Sequence, residues 1–180
     1  CGYWVLNASD YGVPQSRERV FFVGTLDTVD FTAFEESLND KKFKAPTLRE
    51  LFQTLPEIGS VGNPHTCTAR ITLAGSPVMR KSPYAGMIFN GMGRPLNLDG
   101  VSATLPASMG GNKTPIIDEE MLRNPSAEDW VKEYHGRLWR KEIEAEFGPA
   151  PERLRRISIV ESAAIQTFPR DYKFCGSKSA

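Results

Sequence analysis

The chain has 180 residues, and its 22 basic and 22 acidic side chains give a formal net charge of zero. Taken alone, that balance argues against a basic nucleic-acid-binding module, which usually carries a clear positive excess, and it excludes an acidic tail. The hydrophobic share of 40% and the charged share of 24% are typical of a folded globular chain and argue against global disorder.

Two strands are predicted at the start of the chain. Residues 3–6 are aromatic and β-branched, and residues 19–24 (RVFFVG) are apolar on both faces, which predicts a second strand that is buried. Residues 10–14 (DYGVP) between them are rich in turn-forming types. The two strands are therefore expected to pair as a hairpin with a long, functional connection.

A short helix and a loop-rich region are predicted next. Thr47 with Glu50 forms a capping box, and the helix that it begins is ended by Pro56. The apolar face of this helix consists of Leu48, Leu51, Phe52 and Leu55. Residues 57–115 are rich in Gly, Pro, Asn, Ser and Thr, with short apolar runs such as residues 87–89. That pattern predicts short strands joined by long loops.

Two further helices are predicted in the last third of the chain. Ser126 is the expected N-cap of the first. The residues expected on its apolar face are Trp130, Tyr134, Leu138 and Phe147. This stripe predicts a core contact rather than a stacking platform for bases, and His135 is expected to have a surface or helix-face role rather than a catalytic one. A second capping box, Ser158 with Glu161, begins an apolar helix that Pro169 closes.

Charge is spread unevenly along the chain. Residues 41–115 hold nine basic and three acidic side chains, whereas residues 1–40 hold two basic and seven acidic ones. This asymmetry indicates an anionic partner for the middle of the chain, the alternative being that surface charges cluster by chance. The run Lys41, Lys42 and Lys44 is expected to be solvated, with non-specific phosphate contact as the alternative.

Cysteines, histidines and apolar runs exclude several classes of protein. Cys1, Cys67 and Cys175 form no Cys-x-x-Cys pair, which predicts reduced, buried cysteines in a cytoplasmic protein. His65 and His135 are far apart in sequence, so no metal site is predicted. No apolar run approaches the roughly 20 residues of a membrane span, so no membrane partner is expected. The chain starts on strand-like residues without a signal peptide, and we expect a piece of a longer protein.

Gln15, Arg17 and Arg19 alternate along the chain. On an extended backbone all three side chains point to one face. An amide and two guanidinium groups on one face form a fork suited to a phosphate, a carboxylate or a base edge. The alternative is a pair of arginines in salt bridges at the start of a strand.

Residues 14–24 (PQSRERVFFVG) and residues 155–172 (RRISIVESAAIQTFPRDY) carry the most specific patterns in the chain. The first is Gln-x-Arg-x-Arg followed by an apolar strand, and it resembles motif VIII of the DNA cytosine-5 methyltransferases. The second resembles motif IX of the same family. The two matches stand in the family's order, with a variable segment between them where the family has its target recognition domain. The family often has Arg before the motif IX glutamate, whereas Val160 precedes Glu161 here.

Residues 90–95 (NGMGRP) and 102–112 (SATLPASMGGN) resemble the family's recognition loops. Glycine-rich backbone can approach DNA closely, an arginine such as Arg94 can pair with guanine O6 and N7, and Asn112 can pair with adenine N6 and N7. The alternative is that Gly91, Gly93, Gly110 and Gly111 only form tight turns. The residues expected to bind DNA are Arg94, Thr104, Leu105, Ser108, Gly110, Gly111, Asn112 and Lys113.

The resemblance implies a reaction and roles for several side chains. The family transfers a methyl group from S-adenosylmethionine to carbon 5 of a cytosine flipped out of the duplex, after a cysteine thiolate attacks carbon 6. By resemblance, Arg19 reaches the flipped cytosine and supports this attack. Gln15 and Arg17 are implied to shape the catalytic pocket, and Thr104 to contact the phosphates beside the flipped nucleotide.

Other motifs of the family are absent from this chain. The family's nucleophile is the cysteine of a Pro-Cys motif, and none of the three cysteines here follows a proline. No Phe-x-Gly-x-Gly cofactor loop and no Glu-Asn-Val carboxylate motif occurs in the sequence. The resemblance therefore implies that S-adenosylmethionine is bound by a missing catalytic part, that this chain alone is inactive, and that no metal is used.

The expected fold is α+β. Residues 1–27 are expected to form a hairpin at the edge of the parent's doubly wound α/β catalytic domain. Residues 28–154 are expected to form a small, loop-rich target recognition domain of short strands and a few helices that faces the major groove. Residues 155–180 are expected to be the motif IX helix and a hinge back to the catalytic domain. Arg156 is implied to brace the two domains, and Glu161 is expected to be structural.

The expected function is target recognition for a DNA cytosine-5 methyltransferase, a bacterial modification enzyme of the cytoplasm and nucleoid. The implied partners are double-stranded DNA, the parent's own catalytic domain and a restriction endonuclease that acts on the same site. Two alternatives remain at this point. One is a non-catalytic, sequence-specific DNA-binding domain, and the other is an unrelated cytosolic interaction domain whose motif matches are accidental.

Overall fold

The computed structural model describes residues 1–26 and 30–175, and it has the α+β composition that the sequence predicts. Strand β1 (Gly2–Asn7) and strand β2 (Glu18–Val23) form an antiparallel pair. The predicted hairpin is therefore confirmed. The predicted domain boundary after residue 27 and the last five residues of the chain lie outside the described residues.

One face of this hairpin is exposed, so the prediction of a buried second strand is wrong. Phe22 keeps 80% of its surface, and Tyr3, directly opposite on β1, keeps 69%. Helix α1 (Phe31–Asp40) packs on the other face, where the rings of Trp4 and Phe34 meet edge to face with centroids 4.8 Å apart. Alternate side chains of a strand point to opposite faces, so a helix on one side leaves the other side in solvent. The exposed side, here called the open hairpin face, consists of Tyr3, Val5, Val20 and Phe22.

Two short helices pack on the larger of two hydrophobic cores. Helix α2 (Leu48–Gln53) begins at Thr47, whose hydroxyl accepts the amide of Glu50, and helix α5 (Ile159–Ile165) begins in the same way at Ser158. Both predicted capping boxes are thus confirmed. The buried members of this core are Leu48, Phe52, Leu96, Leu98, Leu105, Ile117, Met121, Ile157 and Ile165.

Short antiparallel strands build the second core, as the turn-rich middle of the sequence predicts. They form a sheet of β4 (Met87–Phe89), β3 (Thr72–Val78) and β6 (Gly148–Pro149), in that order, and a pair of β5 (Ile116–Asp118) and β7 (Leu154–Arg156). Helix α3 (Glu119–Arg123) follows β5 directly. The buried members of the second core are Ile88, Phe89, Ile116, Val131 and Leu154. Since β5 contributes to both cores, it fixes the two halves of the loop-rich region to each other.

Helix α4 (Trp130–Trp139) begins about one turn later than predicted. Its N-cap is Asp129, whose carboxylate accepts a backbone amide at 2.9 Å, whereas Ser126 lies in the preceding turn. A carboxylate at this position gains from the helix dipole as well as from the hydrogen bond. Trp130 and Tyr134 stack with ring centroids 4.8 Å apart and pack against the second core, which confirms the predicted core contact.

Several side chains differ from their predicted positions. Phe147 lies outside α4, beside β6, and is exposed. His135 faces inward, because it is buried and its Nε2 lies 2.8 Å from the carbonyl oxygen of Arg80. The prediction of buried cysteines is wrong for all three, because Cys67 is only half-buried and Cys1 and Cys175 are exposed.

Candidate nucleic-acid interface

Two loops that are far apart in sequence are held together by hydrogen bonds. The amide of Ser16 donates to the carbonyl oxygen of Ser102 at 2.7 Å, and the amide of Ser102 donates to the carbonyl oxygen of Pro14 at 2.9 Å. The hydroxyl of Thr104 donates to the carbonyl oxygen of Ser16 at 2.8 Å. These bonds place the loop that resembles motif VIII beside the start of the second recognition loop.

The structure separates Gln15 from the two arginines of the same motif. Gln15 is 2% exposed, forms an isolated bridge with Ser102, and has no hydrogen-bond partner for its Nε2 within the described residues. Arg17 and Arg19 are exposed, and β2 begins only at Glu18. The three residues therefore do not share one exposed face, because the extended backbone assumed for them starts after Gln15.

Arg17 and Arg19 have no acidic partner within residues 1–26 and 30–175. The Arg19 guanidinium donates to the carbonyl oxygen of the preceding Glu18 at 2.6 Å. The salt-bridge alternative is thus not supported for these two arginines. Two unpaired guanidinium groups leave a positively charged edge that is available to a phosphate or to a base.

A groove of about 230 Å³ opens beside Thr104. The predicted DNA-binding residues in its lining are Arg94, Thr104, Leu105, Ser108 and Lys113. Arg94 and Lys113 are exposed and unpaired among the described residues, and no acidic side chain belongs to the lining that the structure describes. A lining that has cations and hydroxyl groups but no carboxylates suits a ligand that is rich in negative charge and hydrogen-bond acceptors.

Leu105 lies in the core rather than on the exposed surface expected of a DNA contact. It is 7% exposed and belongs to the larger core, together with Leu96 and Ile117. Burial of a leucine side chain contributes about 1.5–3 kcal/mol relative to its exposure, so Leu105 fixes the recognition loop to the fold. The neighbouring Thr104 and Ser108 stay exposed on that fixed loop.

The glycines of the two recognition loops fall into two groups. Gly91 has a φ of +75°, and an added Cβ at Gly93 would lie 2.1 Å from the carbonyl oxygen of Thr114. An added Cβ at Gly110 or Gly111 would meet nothing within 4 Å. The tight-turn alternative thus accounts for Gly91 and for Gly111, whose φ is +49°, and close packing accounts for Gly93. Gly110 and Gly111 leave open space for a close approach of another molecule.

We expect Gly93→Ala to lower the free energy of unfolding by about 1–3 kcal/mol, because its methyl group must displace the backbone of Thr114. Urea unfolding of the whole protein measures this loss. Gly110→Ala is the matched control, since its φ of 164° is extended and the added methyl group meets open space. Equal stability of the two variants would contradict the close packing of these loops.

Asn112 is already engaged within the protein. Its carbonyl oxygen accepts the amides of Met92 and Gly93 at 3.1 and 2.9 Å. Its side-chain Oδ1 lies 3.5 Å from Nη2 of Arg156, at the limit of a hydrogen bond. Bidentate pairing with adenine needs both atoms of the side-chain amide, so the predicted base contact requires Asn112 to give up this interaction with Arg156.

Arg156 joins the recognition loops to one another. It is 4% exposed, and its guanidinium donates to the carbonyl oxygens of Thr114 at 2.6 Å and Ala69 at 3.2 Å, and to Oδ1 of Asn90 at 3.2 Å. Burial lowers the pKa of Arg156 below its usual value. Because these partners all lie in the loop-rich region, the described contacts of Arg156 organise that region internally.

Glu161 is buried and caps α5 by accepting the amide of Ser158 at 2.8 Å. Arg155 binds the same carboxylate through two parallel hydrogen bonds of 2.7 and 2.9 Å, an arrangement with strong geometric specificity. Sequence motifs did not single out Arg155. Val160 stands where the family often has an arginine, and the arginine that pairs with Glu161 here is Arg155 of β7, which leads into α5 through a short turn.

The positive charge of residues 41–115 is largely unpaired. Of the nine basic side chains there, Arg49 alone forms an ion pair with a described residue, namely Asp99 at 2.7 Å. Four later arginines are each paired with a carboxylate, namely Arg123, Arg140, Arg153 and Arg155. The unpaired excess in the middle of the chain favours the approach of a polyanion.

Comparison with known proteins connects this interface to a family. The whole chain, residues 1–180, matches the sequence model of the C-5 cytosine-specific DNA methylases. The chain belongs to this family. The motif VIII and motif IX resemblances are therefore confirmed at the level of the family.

Two curated relatives of this methylase chain are type II methyltransferases. The chain is 30% identical over 174 residues to Type II methyltransferase M.MthTI of Methanothermobacter thermautotrophicus, a match that covers 96% of this chain and 46% of the relative. It is 29% identical over 178 residues to Type II methyltransferase M.BspRI of Lysinibacillus sphaericus, a match that covers 94% of this chain and 33% of the relative. The methylase chain thus spans between a third and a half of the length of these relatives.

Two pockets of this methylase chain lack side chains suited to S-adenosylmethionine, the cofactor that the family implies. The cofactor carries a sulfonium cation and ribose hydroxyl groups, for which carboxylates are suitable partners. The groove beside Thr104 and the small apolar pocket beside Phe168 have no carboxylate in their described lining. Within residues 1–26 and 30–175, no group of three His, Cys, Asp or Glu side chains is placed to hold a metal ion, and no helix is long and apolar enough to cross a membrane.

Proposed function

We propose that this chain is the target-recognition portion of a DNA cytosine-5 methyltransferase. The whole enzyme would transfer a methyl group from S-adenosylmethionine to carbon 5 of a cytosine flipped out of a specific duplex sequence. The observation that carries the recognition role is the cationic groove between Arg94 and Lys113, which hydrogen bonds join to the loop bearing Arg17. Family membership supports the methyl transfer.

The chain would consist of three parts. Residues 1–27 would be an edge hairpin of the catalytic domain, residues 28–154 the target recognition domain, and residues 155–180 the motif IX helix and hinge. The open hairpin face supports the first assignment, because large exposed apolar patches usually mark contact surfaces. S-adenosylmethionine and the cysteine nucleophile would belong to the catalytic domain, and this chain by itself would be inactive.

The groove residues would divide the reading of DNA between them. Arg94 would read a guanine through O6 and N7, while Lys113 would bind a phosphate. Gly110 and Gly111 would let the backbone approach the duplex, since the space around them is open. Arg19 would serve the catalytic centre, supported by its exposure and its lack of an acidic partner among the described residues.

Bisulfite sequencing of DNA from cells that express the whole protein tests this function directly. Protection of cytosines in one short sequence is the expected result, because C5 methylation blocks bisulfite conversion. No protected sequence in cells that contain the folded protein would remove the proposed activity. The relatives' names as type II methyltransferases support a modification enzyme, which we propose to be bacterial, nucleoid-associated and paired with a restriction endonuclease that acts on the same site.

We expect Arg94→Ala and Lys113→Ala to weaken DNA binding in different ways. Loss of a bidentate guanine contact costs about 1–3 kcal/mol, so Arg94→Ala should lower affinity for the cognate duplex and relax discrimination at one base pair. Lys113→Ala should weaken the binding of cognate and non-cognate duplexes by the same factor. It should also reduce the slope of log affinity against log salt concentration by about one. Salt titrations on paired duplexes measure both effects.

Arg123→Ala is the control for these variants, because Arg123 is exposed and ion-paired on α3 and lies outside the lining of the groove. Its duplex affinity should match that of the unmodified protein. If Arg94→Ala, like Lys113→Ala, lowered the affinity for every duplex by the same factor whichever base pair was changed, Arg94 would not read a base.

A non-catalytic, sequence-specific DNA-binding domain is the second candidate function. The unpaired cations of the groove support it, because they suit a duplex whether or not methyl transfer follows. The same groove would then bind a duplex without methyl transfer. Cognate binding by the whole protein without protection from bisulfite would select this candidate.

A further inference from the structure

We propose that Phe43 is a positioning residue that holds the loop leading to Arg19. This loop, residues 8–17, connects β1 to β2 and is here called the hairpin loop. The inference rests on the proposed function, since it assigns Phe43 to the methyl-transfer step rather than to the affinity for DNA. Phe43 belongs to neither end motif and lies within the lysine run that follows α1.

The ring of Phe43 lies directly on Gly12, at the tip of the hairpin loop. Gly12 has a φ of +81°, a value that favours glycine, and an added Cβ there would overlap carbon atoms of the ring. The amide of Phe43 donates to the carbonyl oxygen of Asp10 at 2.9 Å, and Phe43 forms an isolated bridge with Tyr11. The ring and the backbone of one residue therefore hold three successive residues of the tip.

Ala8 connects the tip of the hairpin loop to β2. Its carbonyl oxygen accepts the amides of Tyr11 at 3.0 Å and Val13 at 3.2 Å, the two residues beside the covered glycine. Its own amide donates to the carbonyl oxygen of Arg17 at 3.0 Å. Arg19, the side chain proposed to serve the catalytic centre, follows two positions later on β2. A shift of the tip would therefore change the position from which Arg19 projects.

The recognition region holds Phe43 from the other side. Two residues after Phe43, Ala45 is buried. At the start of α2, the amide of Leu48 donates to the carbonyl oxygen of Gly100 at 2.9 Å. The segment that carries Phe43 is thus fixed to the chain that leads into the second recognition loop. Phe43 therefore connects the hairpin to the proposed target recognition domain at a second place, apart from the bonds of Ser102.

The ring of Phe43 is 63% exposed and belongs to neither hydrophobic core. Its removal therefore exposes little buried apolar surface, and the backbone hydrogen bond to Asp10 does not need the side chain. We expect Phe43→Ala to remain folded, with a ring that no longer covers Gly12. The variant thus separates the position of the hairpin loop from the stability of the fold.

The test compares Phe43→Ala with Phe43→Tyr in the whole protein, since alanine removes the ring and tyrosine keeps it. We expect kcat for methyl transfer to fall at least about tenfold in the alanine variant, because a small misplacement of a catalytic group is costly. The Kd for the cognate duplex should stay unchanged, and Phe43→Tyr should keep the kcat of the unmodified protein. Phe147→Ala should also keep it and is the matched control. Phe147 is exposed too, but an added Cβ at its neighbour Gly75 would meet it at an ordinary 3.7 Å.

A double variant shows whether Phe43 acts through Arg19. Adding Phe43→Ala to Arg19→Ala should cause little further fall in kcat, because the group that Phe43 positions is already absent. Losses that multiply in the double variant would overturn the inference. Weaker duplex binding in Phe43→Ala with kcat preserved, or a kcat of Phe43→Tyr as low as that of Phe43→Ala, would overturn it as well.

Urea unfolding of the whole protein tests the contact between Phe43 and Gly12 without any activity. Gly12→Ala should lower the urea midpoint more than Gly59→Ala, because Gly59 has a similar φ of +87° but only an ordinary contact at 3.4 Å. This excess should vanish when Phe43→Ala is also present, since the overlap with the ring is then gone. An excess that persists would overturn the inference, whereas an excess that vanishes in a protein without methyl transfer would leave the contact standing and remove the proposed function.

Discussion

Arg156→Ala is expected to lower the free energy of unfolding by about 3 kcal/mol. The substitution removes the donor from carbonyl oxygens of Thr114 and Ala69 and from Oδ1 of Asn90. Buried acceptors that lose their donor cost about 1–3 kcal/mol each, and partial access of water reduces that sum. The loops that carry Arg94 should lose their fixed geometry together with this stability.

Urea unfolding of the whole protein measures the loss, and two variants define its cause. Arg156→Lys keeps the positive charge without the planar fork, so we expect it to recover a minor part of the stability. Arg123→Ala removes an exposed ion pair and should cost about 1 kcal/mol or less. If Arg156→Ala proved as stable as Arg123→Ala, the loops would not depend on this guanidinium.

Arg156→Ala also predicts a specific change in DNA binding. Sequence-specific affinity should fall more than non-specific affinity, because exposed cations such as Arg94 and Lys113 remain but lose their fixed positions. Binding to cognate and scrambled duplexes at several salt concentrations measures the difference. An equal fall in affinity for both duplexes would indicate that the variant loses positive charge rather than the fixed positions of the loop residues.

Arg19→Ala is expected to reduce methyl transfer at least about 100-fold while duplex binding changes little. Arg19 is exposed and has no acidic partner among the described residues, so its removal should leave the fold intact. A guanidinium aimed at developing charge acts on the transition state, and its loss therefore appears in kcat. Single-turnover methyl transfer by the whole protein, with saturating duplex, measures this effect.

Arg137→Ala is the matched control for Arg19, because Arg137 is also exposed and outside any ion pair of the described residues, but lies on α4. Its methyl transfer should equal that of the unmodified protein. Near-normal turnover in Arg19→Ala would remove Arg19 from the mechanism. A parallel loss of duplex affinity would make Arg19 a binding residue instead.

Local features of this protein follow from its sequence. The capping boxes at Thr47 and Ser158 and the hairpin of β1 and β2 involve residues close together in the chain, where spacing and residue type dictate hydrogen bonds. The two end motifs also identify the family, since their patterns are short and specific. Arg94 and Lys113, which the sequence predicts to bind DNA, line one groove, and their role in DNA binding stays a prediction.

Other features depend on partners far away in the chain. The exposure of Phe22 depends on which face α1 covers, and the burial of Gln15 depends on its bridge to Ser102. The fixed geometry of the recognition loops depends on Arg156, whose partners include Ala69, 87 positions away. Periodicity and propensity describe neighbours within a few residues, whereas burial and long-range hydrogen bonds arise when distant segments pack. The sequence by itself therefore determined the family, the starts of α2 and α5 and the hairpin, and the tertiary structure decided which of the motif residues are buried, paired or free.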